Sequence, residues 1–143
     1  MILKSEMLEK VKALLRSHEG LRLNMYLDTL QNPTIGYGHN LAQRGISLDI
    51  AETLLMEDIN STTTELIAAW PGFLNLTTNR KVAILDMAYN LGVPRFMGFE
   101  RTIACLEADD NDGAAHEILT SLWASQVPNR AKDIAKIIRT DEL

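Results

Sequence analysis

The sequence His18-Glu-Gly-Leu-Arg-Leu-Asn-Met-Tyr-Leu-Asp-Thr-Leu-Gln-Asn-Pro-Thr-Ile-Gly-Tyr-Gly-His-Asn-Leu41 changes periodicity partway along its length. Before it, the apolar residues recur at helical spacing, at Met7, Leu8, Val11, Leu14 and Leu15. Gly20 is a typical residue just beyond a helix end. After it, apolar and polar residues alternate from Leu21 to Tyr26, as in a half-buried strand. The pattern therefore predicts a first helix over about 4–18, followed by a small sheet.

The second half of the same stretch predicts a hairpin. Asn32-Pro33 is a turn signal, and residues 34–38 form a returning strand that contains two glycines. Glu19 then lies where the helix meets the sheet, and Asp28 and Thr34 lie near the turn. Two carboxyl groups on opposite walls of a cleft are the pair that glycoside hydrolysis needs. Two acidic residues at this spacing are more often solvated surface residues. The spacing alone therefore does not decide between a catalytic pair and ordinary surface acids.

Three sub-motifs of this stretch resemble, in register and without a gap, the active-site segment of the phage-type lysozymes. They are Glu19-Gly-Leu-Arg-Leu23, Tyr26-x-Asp28-Thr29 and Pro33-Thr-Ile-Gly-Tyr-Gly-His39. Two later segments resemble the family's C-terminal helices, Met87-Ala-Tyr-Asn-Leu-Gly92 and Trp123-x-x-x-Val-Pro-Asn-Arg-Ala-Lys132. The resemblance thus covers nearly the whole chain. It departs between residues 39 and 47, where this sequence is shorter than familiar members.

The resemblance implies a peptidoglycan hydrolase that cleaves the β-1,4 bond between N-acetylmuramic acid and N-acetylglucosamine. It makes Glu19 the general acid and Asp28 the base that activates a water, with Thr34 helping to position that water. It also implies inversion, in which the water attacks the sugar directly from the opposite face.

The resemblance also implies supporting roles elsewhere in the chain. Arg130 would pair with Glu19 and orient it. His39 would pair with Asp58 and pin the sheet to a long helix, the alternative being a partly exposed imidazole. Three further positions line the sugar cleft in relatives and are candidate substrate-binding residues, although the residue types differ: Tyr89, Thr102 and Glu117. Tyr89 could equally be a packing residue.

The predicted fold is α+β and mostly helical, with two lobes in a single lysozyme domain over residues 1–143. A small sheet lobe spans about 19–58, and a helical lobe spans about 66–143 together with the N-terminal helix. A long helix capped by Ser47 joins them, because apolar residues keep helical spacing to the Trp70-Pro71-Gly72 stop. The polar run around Ser61 leaves open two shorter helices.

Composition narrows the functional classes. With 46% hydrophobic and 23% charged residues, the chain is globular in type. A formal net charge of −5 argues against nucleic-acid binding and sets the chain apart from the many basic lysozymes. His18, His39 and His116 are scattered and there is one cysteine, Cys105, so no metal or other cofactor is expected.

The partner expected is the peptidoglycan glycan strand, bound by a monomer without stable membrane insertion. The first residues lack the apolar core of a secretory signal, which predicts a protein held in the host cytoplasm until it is released to the cell wall. Two rival functions are a non-catalytic wall-binding module and a lytic transglycosylase on the same fold. Asp28 and Thr34 argue against the transglycosylase, which needs no water-activating base.

Overall fold

A computed structural model of the protein describes residues 4–143. These residues separate into two compact units, the first ending at Glu52 and the second spanning Thr53–Leu143. The boundary falls inside helix α3, Leu48–Ala69. The first unit includes the N-terminal helix. The sequence predicts instead that this helix belongs with the helical lobe, and the predicted lobe boundaries remain predictions.

The first unit combines helices with a small antiparallel sheet. Its elements are α1 Ser5–Glu19, β1 Arg22–Leu27, β2 Pro33–Gly36, β3 His39–Asn40 and α2 Leu41–Arg44, followed by the start of α3. The sheet order is β1-β2-β3. The predicted helix and hairpin are therefore present. The sheet also has a third strand, which at two residues is too short to show an alternating pattern in the sequence.

The register of β1 and β2 brings Asp28 and Thr34 to one end of the hairpin. Tyr26 pairs with Thr34 and Leu27 with Pro33, so Asp28 follows β1 directly beside the first residues of β2. An irregularity separates this end from the Arg22–Gly36 pair. Among the described residues up to Glu52, Thr34 is the one buried side chain, with 3% of its surface exposed.

Helix α3 is continuous over 22 residues, so the alternative of two helices broken near Ser61 is wrong. The polar run is accommodated because its threonine hydroxyls donate hydrogen bonds to carbonyls one turn earlier. Thr63 Oγ1 donates to the Ile59 carbonyl at 2.7 Å, and Thr64 Oγ1 to that of Asn60 at 2.9 Å. Ser47 Oγ accepts from the Ile50 N–H at 3.3 Å, which supports the predicted start of the helix.

The second unit is helical throughout its described length and contains the apolar core. A 3₁₀ turn at Pro71–Asn75 is followed by α4 Thr78–Leu91, α5 Val93–Phe96, α6 Glu100–Glu107, α7 Asn111–Leu119, α8 Leu122–Gln126 and α9 Pro128–Thr140. The largest fully buried apolar side chains are those of Phe96, Leu66, Ile84, Met87, Ile118 and Ile138. Helix α4 and helix α9 both pack into this core. Arg130 lies in the first turn of α9.

The predicted fold class is thus confirmed: a mostly helical α+β protein with a small sheet and a long helix. No helix within residues 4–143 has the length and apolar character needed to cross a membrane.

One position of the hairpin turn carries backbone strain. Gln31 adopts φ 65°, in the left-handed region, where a side chain costs about 1–2 kcal/mol. Glycine avoids that cost, but it lowers the free energy of unfolding by about 0.5–1 kcal/mol because the unfolded chain has more conformational freedom. We therefore expect Gln31→Gly to stabilise the hairpin by roughly 0.5–1 kcal/mol, measured as slower amide exchange in β1 and β2. Thr29→Gly, in the same turn at negative φ, is the control and should speed that exchange.

Candidate active site

Glu19 is the last residue of α1, at the junction predicted from the sequence. The helix ends there because Gly20, at φ 69°, turns the chain while its N–H donates to the Arg16 carbonyl at 3.1 Å. The Arg16 guanidinium lies 5.8 Å from the centre of the Tyr37 ring, so the end of α1 lies beside the turn between β2 and β3. The Glu19 side chain is exposed and available to a ligand.

The same turn closely approaches the Glu19 carboxyl group. A Cβ atom built on Gly38 would lie 2.6 Å from Glu19 Oε2 and 2.8 Å from Glu19 Cδ. These distances are shorter than any ordinary carbon contact, so a side chain at position 38 cannot coexist with Glu19 in this position. The catalytic candidate thus lies directly against the backbone of the turn.

Asp28 closes the hairpin turn with its side chain. Its Oδ1 accepts hydrogen bonds from the N–H groups of Leu30 at 2.9 Å and Asn32 at 2.8 Å. Its Oδ2 accepts a longer bond from the Asn32 side-chain amide at 3.3 Å. The Asn32 N–H is the largest influence that lowers the pKa of Asp28, and the Asn32 amide and the Leu30 N–H act in the same direction. A lowered pKa keeps Asp28 ionised, as a base must be.

Thr34 is linked to Asp28 through Asn32. The Thr34 hydroxyl donates to the Asn32 carbonyl at 2.8 Å, and that carbonyl also accepts from the Asp28 N–H at 3.0 Å. Because this bond uses the hydroxyl proton, the lone pairs of Thr34 Oγ1 remain able to accept from a water.

Asn32 is a residue whose role the sequence reasoning missed. The sequence indicates Asn32 only as part of a turn, although its place between Asp28 and Thr34 is a signal for a role in the site. Backbone and side-chain groups of this one residue contact both of these catalytic candidates.

An Asn32→Ala variant should show how the side-chain amide acts on Asp28. It keeps both backbone groups of residue 32 and removes one donor that lowers the pKa of Asp28. We expect that pKa to rise toward its usual range, measured by a carboxyl ¹³C NMR titration. Asn24→Ala, at an exposed position on β1, is the matched control and should leave the titration unchanged.

His39 begins β3 and is tied to the following loop. Its Nε2 lies 2.6 Å from the Gly45 carbonyl oxygen, so Nε2 carries a proton and donates it. This contact gives the imidazole a structural role inside the first unit. The predicted pairing of His39 with Asp58 remains a prediction.

Arg130 has a carboxylate partner within the second unit. Its Nε lies 2.9 Å from Asp86 Oδ1, and the two side chains are 40% and 49% exposed. An ion pair this exposed contributes little stability, about 1 kcal/mol or less. The guanidinium therefore remains free to bind another carboxylate, and the predicted pairing with Glu19 stays open.

Tyr89 lines the same region as Arg130. Both border a cavity of about 410 Å³ together with Leu55, Ile59, Thr62, Val82, Leu85 and Asp86. The Tyr89 hydroxyl lies 3.5 Å from Asp58 Oδ2, a weak hydrogen bond at best. Since 43% of its surface is exposed, Tyr89 is not the core residue that the alternative interpretation described.

The other two candidate substrate residues lie together elsewhere in the second unit. Thr102 and Glu117 border a cavity of about 370 Å³ that also includes Arg101, Thr120 and Ser121. Thr102 is only 1% exposed and therefore offers a ligand almost no surface. Glu117 is half-buried and is the more accessible of the two.

The structure thus places four predicted site residues in the first unit, Glu19, Asp28, Thr34 and His39, and links Asp28 and Thr34 through Asn32. It places the other five in the second unit: Asp58, Tyr89, Thr102, Glu117 and Arg130. Within residues 4–143, no group of three or more histidine, cysteine or acidic side chains has the arrangement of a metal site.

Comparison with known proteins identifies the family of the chain. The family model described as phage lysozyme matches residues 16–136, which include all of the candidate residues. The chain is 28% identical over 166 residues to Probable T4-type lysozyme 1 of Dictyostelium discoideum, covering 96% of this chain and 98% of that protein.

Two relatives are phage proteins. The chain is 30% identical over 117 residues to an endolysin of Acyrthosiphon pisum secondary endosymbiont phage 1, covering 78% of this chain and 76% of the endolysin. It is 27% identical over 158 residues to the pre-baseplate central spike protein of Enterobacteria phage T4. That match covers 91% of this chain and 28% of the spike protein.

Proposed function

Since the chain belongs to the phage lysozyme family and is a lysozyme that hydrolyses peptidoglycan, we propose that it cleaves the β-1,4 bond between N-acetylmuramic acid and N-acetylglucosamine with inversion. The observation that carries this proposal is the linked turn of the first unit. Asp28 is kept ionised there and shares Asn32 with Thr34.

The proposed reaction uses two carboxyl groups in different protonation states. Glu19, protonated, donates its proton to the glycosidic oxygen as the bond from that oxygen to the anomeric carbon breaks. Asp28 takes a proton from a water whose oxygen bonds to the anomeric carbon from the opposite face. Thr34 Oγ1 accepts a hydrogen bond from that water and holds it near Asp28. A water between the reacting groups requires carboxyl groups roughly 6.5–9.5 Å apart.

Arg130 is proposed to orient Glu19 in the complex with substrate. Its present partner, Asp86, lies 2.9 Å from Nε, and a guanidinium has five N–H donors in all, so one guanidinium can bind two carboxylates. Tyr89 borders the same cavity as Arg130 and is proposed as a sugar-stacking residue. Glu117 is proposed to contact the glycan, and Thr102, which is 1% exposed, is proposed only to shape the wall of the cavity that it shares with Glu117.

Product analysis on purified peptidoglycan tests the bond and the reaction type. We expect fragments with a reducing N-acetylmuramic acid end, because water is the nucleophile. An anhydro sugar would instead identify a lytic transglycosylase, and a reducing N-acetylglucosamine end would mean cleavage of the other glycosidic bond. NMR of the fresh product should show the α-anomer first; a first product with the β configuration would overturn inversion and the role given to Asp28.

We also propose that the enzyme acts as a monomer, does not bind nucleic acid, and remains in the host cytoplasm until it is released to the periplasm and cell wall. Because its net charge is −5, we expect the protein to bind nucleic acid and anionic wall polymers only weakly. Fractionation of expressing bacteria, before and after the inner membrane is permeabilised, tests the location. Enzyme found in the periplasm of intact cells would contradict it.

A further inference from the structure

Gly38 lies directly against the side chain of the catalytic candidate Glu19. A Cβ at Gly38 would lie 2.6, 2.8 and 3.2 Å from Glu19 Oε2, Cδ and Cγ respectively. Three consecutive atoms of the side chain therefore lie along the face of Gly38 where other residues carry a side chain. Glu19 occupies the space that the missing Cβ leaves.

No hydrogen bond holds the Glu19 carboxyl group within the first unit. Among residues 4–52, neither a backbone N–H nor a side chain donates to Glu19. Within this unit, the neighbour that bounds the Glu19 carboxyl in its present position is therefore Gly38. The nearby contact of Arg16 with Tyr37 joins the same two segments and keeps the turn beside the helix end.

We propose that Gly38 is a positioning residue for the general acid: because it carries no side chain, the Glu19 carboxyl can lie against the turn in the position that catalysis uses. The inference rests on the proposed function, because it gives Glu19 the catalytic role. It goes beyond that function by assigning a second property to the glycine, whose φ of 71° alone would explain it as a turn residue.

A methyl group at position 38 should displace the acid without unfolding the protein. The atoms that it would meet belong to a flexible, exposed side chain, which can rotate away. A displaced catalytic group still permits substrate binding but reacts poorly, since an error of about 1 Å in its placement can cost about 100-fold in rate. We therefore expect Gly38→Ala to lower kcat about 10- to 100-fold and to leave KM within about threefold.

Gly36 provides a matched control for backbone strain. It lies two residues earlier in the same turn region at φ 69°, and a Cβ built there meets nothing within 4 Å. An alanine at either position suffers the same left-handed backbone cost, but only the one at position 38 meets Glu19. We expect Gly36→Ala to keep kcat within about threefold of the parent enzyme while losing similar stability to urea.

The experiment compares the two alanine variants by steady-state hydrolysis of peptidoglycan and by carboxyl ¹³C NMR of Glu19. The proposal expects a loss of kcat and a shifted Glu19 resonance in Gly38→Ala alone. Equal losses of kcat in both variants, or an unmoved Glu19 resonance in Gly38→Ala, would overturn it. The resonance is assigned by its disappearance in Glu19→Gln.

Two further arms keep the test decisive. Asparagine tolerates positive φ better than alanine, so Gly38→Asn and Gly36→Asn replace the alanine pair if that pair does not fold. If only the Gly38 variants fail to fold, adding Glu19→Ala should restore folding; failure to restore it would contradict the proposed contact. If the parent enzyme proves inactive on peptidoglycan, the proposed function fails, whereas the NMR comparison still decides whether Gly38 positions Glu19.

Discussion

The Glu19→Gln variant is expected to lose lytic activity by at least about 100-fold in kcat, with its fold intact. Glutamine has nearly the shape of glutamate but cannot donate the proton that the leaving oxygen requires. The side chain can keep its place against Gly38, because the substitution adds no atom to the contact. Turbidity loss of a purified wall suspension measures the activity.

Glu6→Gln is the matched control for this substitution. Glu6 lies on the same helix, α1, where it forms an exposed ion pair with Lys10. Loss of that pair should cost no more than a few tenths of a kcal/mol, and activity should be that of the parent. A Glu19→Gln enzyme with turnover within tenfold of the parent would remove Glu19 from the role of acid.

The second large effect is expected for Asp28→Asn, which should lower kcat by about 100-fold or more because the attacking water loses its base. The amide oxygen of an asparagine can still accept the N–H groups of Leu30 and Asn32. Its NH₂ group would face the Asn32 amide across the 3.3 Å bond, so two donors would meet until one amide rotates. The turn should therefore persist while the base is lost.

The same variant should change how stability depends on pH. The pKa of Asp28 is lowered in the folded protein, so its ionisation stabilises the fold above the unfolded pKa of about 4. That stabilisation is lost as the pH falls through the lowered folded pKa. Urea unfolding of parent and variant should differ most above about pH 4 and converge below it. Asp112→Asn, at an exposed surface pair with Arg139, is the control; a constant difference at all pH values would contradict the assignment.

The sequence predicted most of the framework around the catalytic candidates. Helical spacing gave α1 to within one residue at each end, and the Asn32-Pro33 signal gave the hairpin turn. Both succeed because local backbone preferences determine them. The half-buried face that the apolar spacing predicts is not observed, since α1 has no buried residue and Leu23 and Met25 of β1 are exposed. The strand β3, two residues long, has no periodicity that could be read.

The contacts within the site were much less predictable. The sequence indicates Asn32 only as part of a turn, yet its amide and carbonyl connect Asp28 to Thr34. It indicates Gly38 only as one of two glycines in a strand, yet Gly38 lies against Glu19. Arg130 was assigned one acidic partner, and Asp86 lies beside it at 2.9 Å. Such contacts depend on side-chain direction after folding, which spacing along the chain does not specify.

The uneven burial of the two units has a consequence for spectroscopy. The protein has two tryptophans, Trp70 and Trp123, and both are buried in the second unit with 4% and 5% of their surface exposed. Glu19 and Asp28 lie in the first unit, where Thr34 is the one buried side chain among the described residues. A melting curve followed by tryptophan fluorescence therefore reports on a part of the chain that carries neither catalytic carboxyl group. Loss of activity on heating reports on the part that carries Glu19 and Asp28. The midpoint of activity loss therefore has to be measured separately from the midpoint of the fluorescence change.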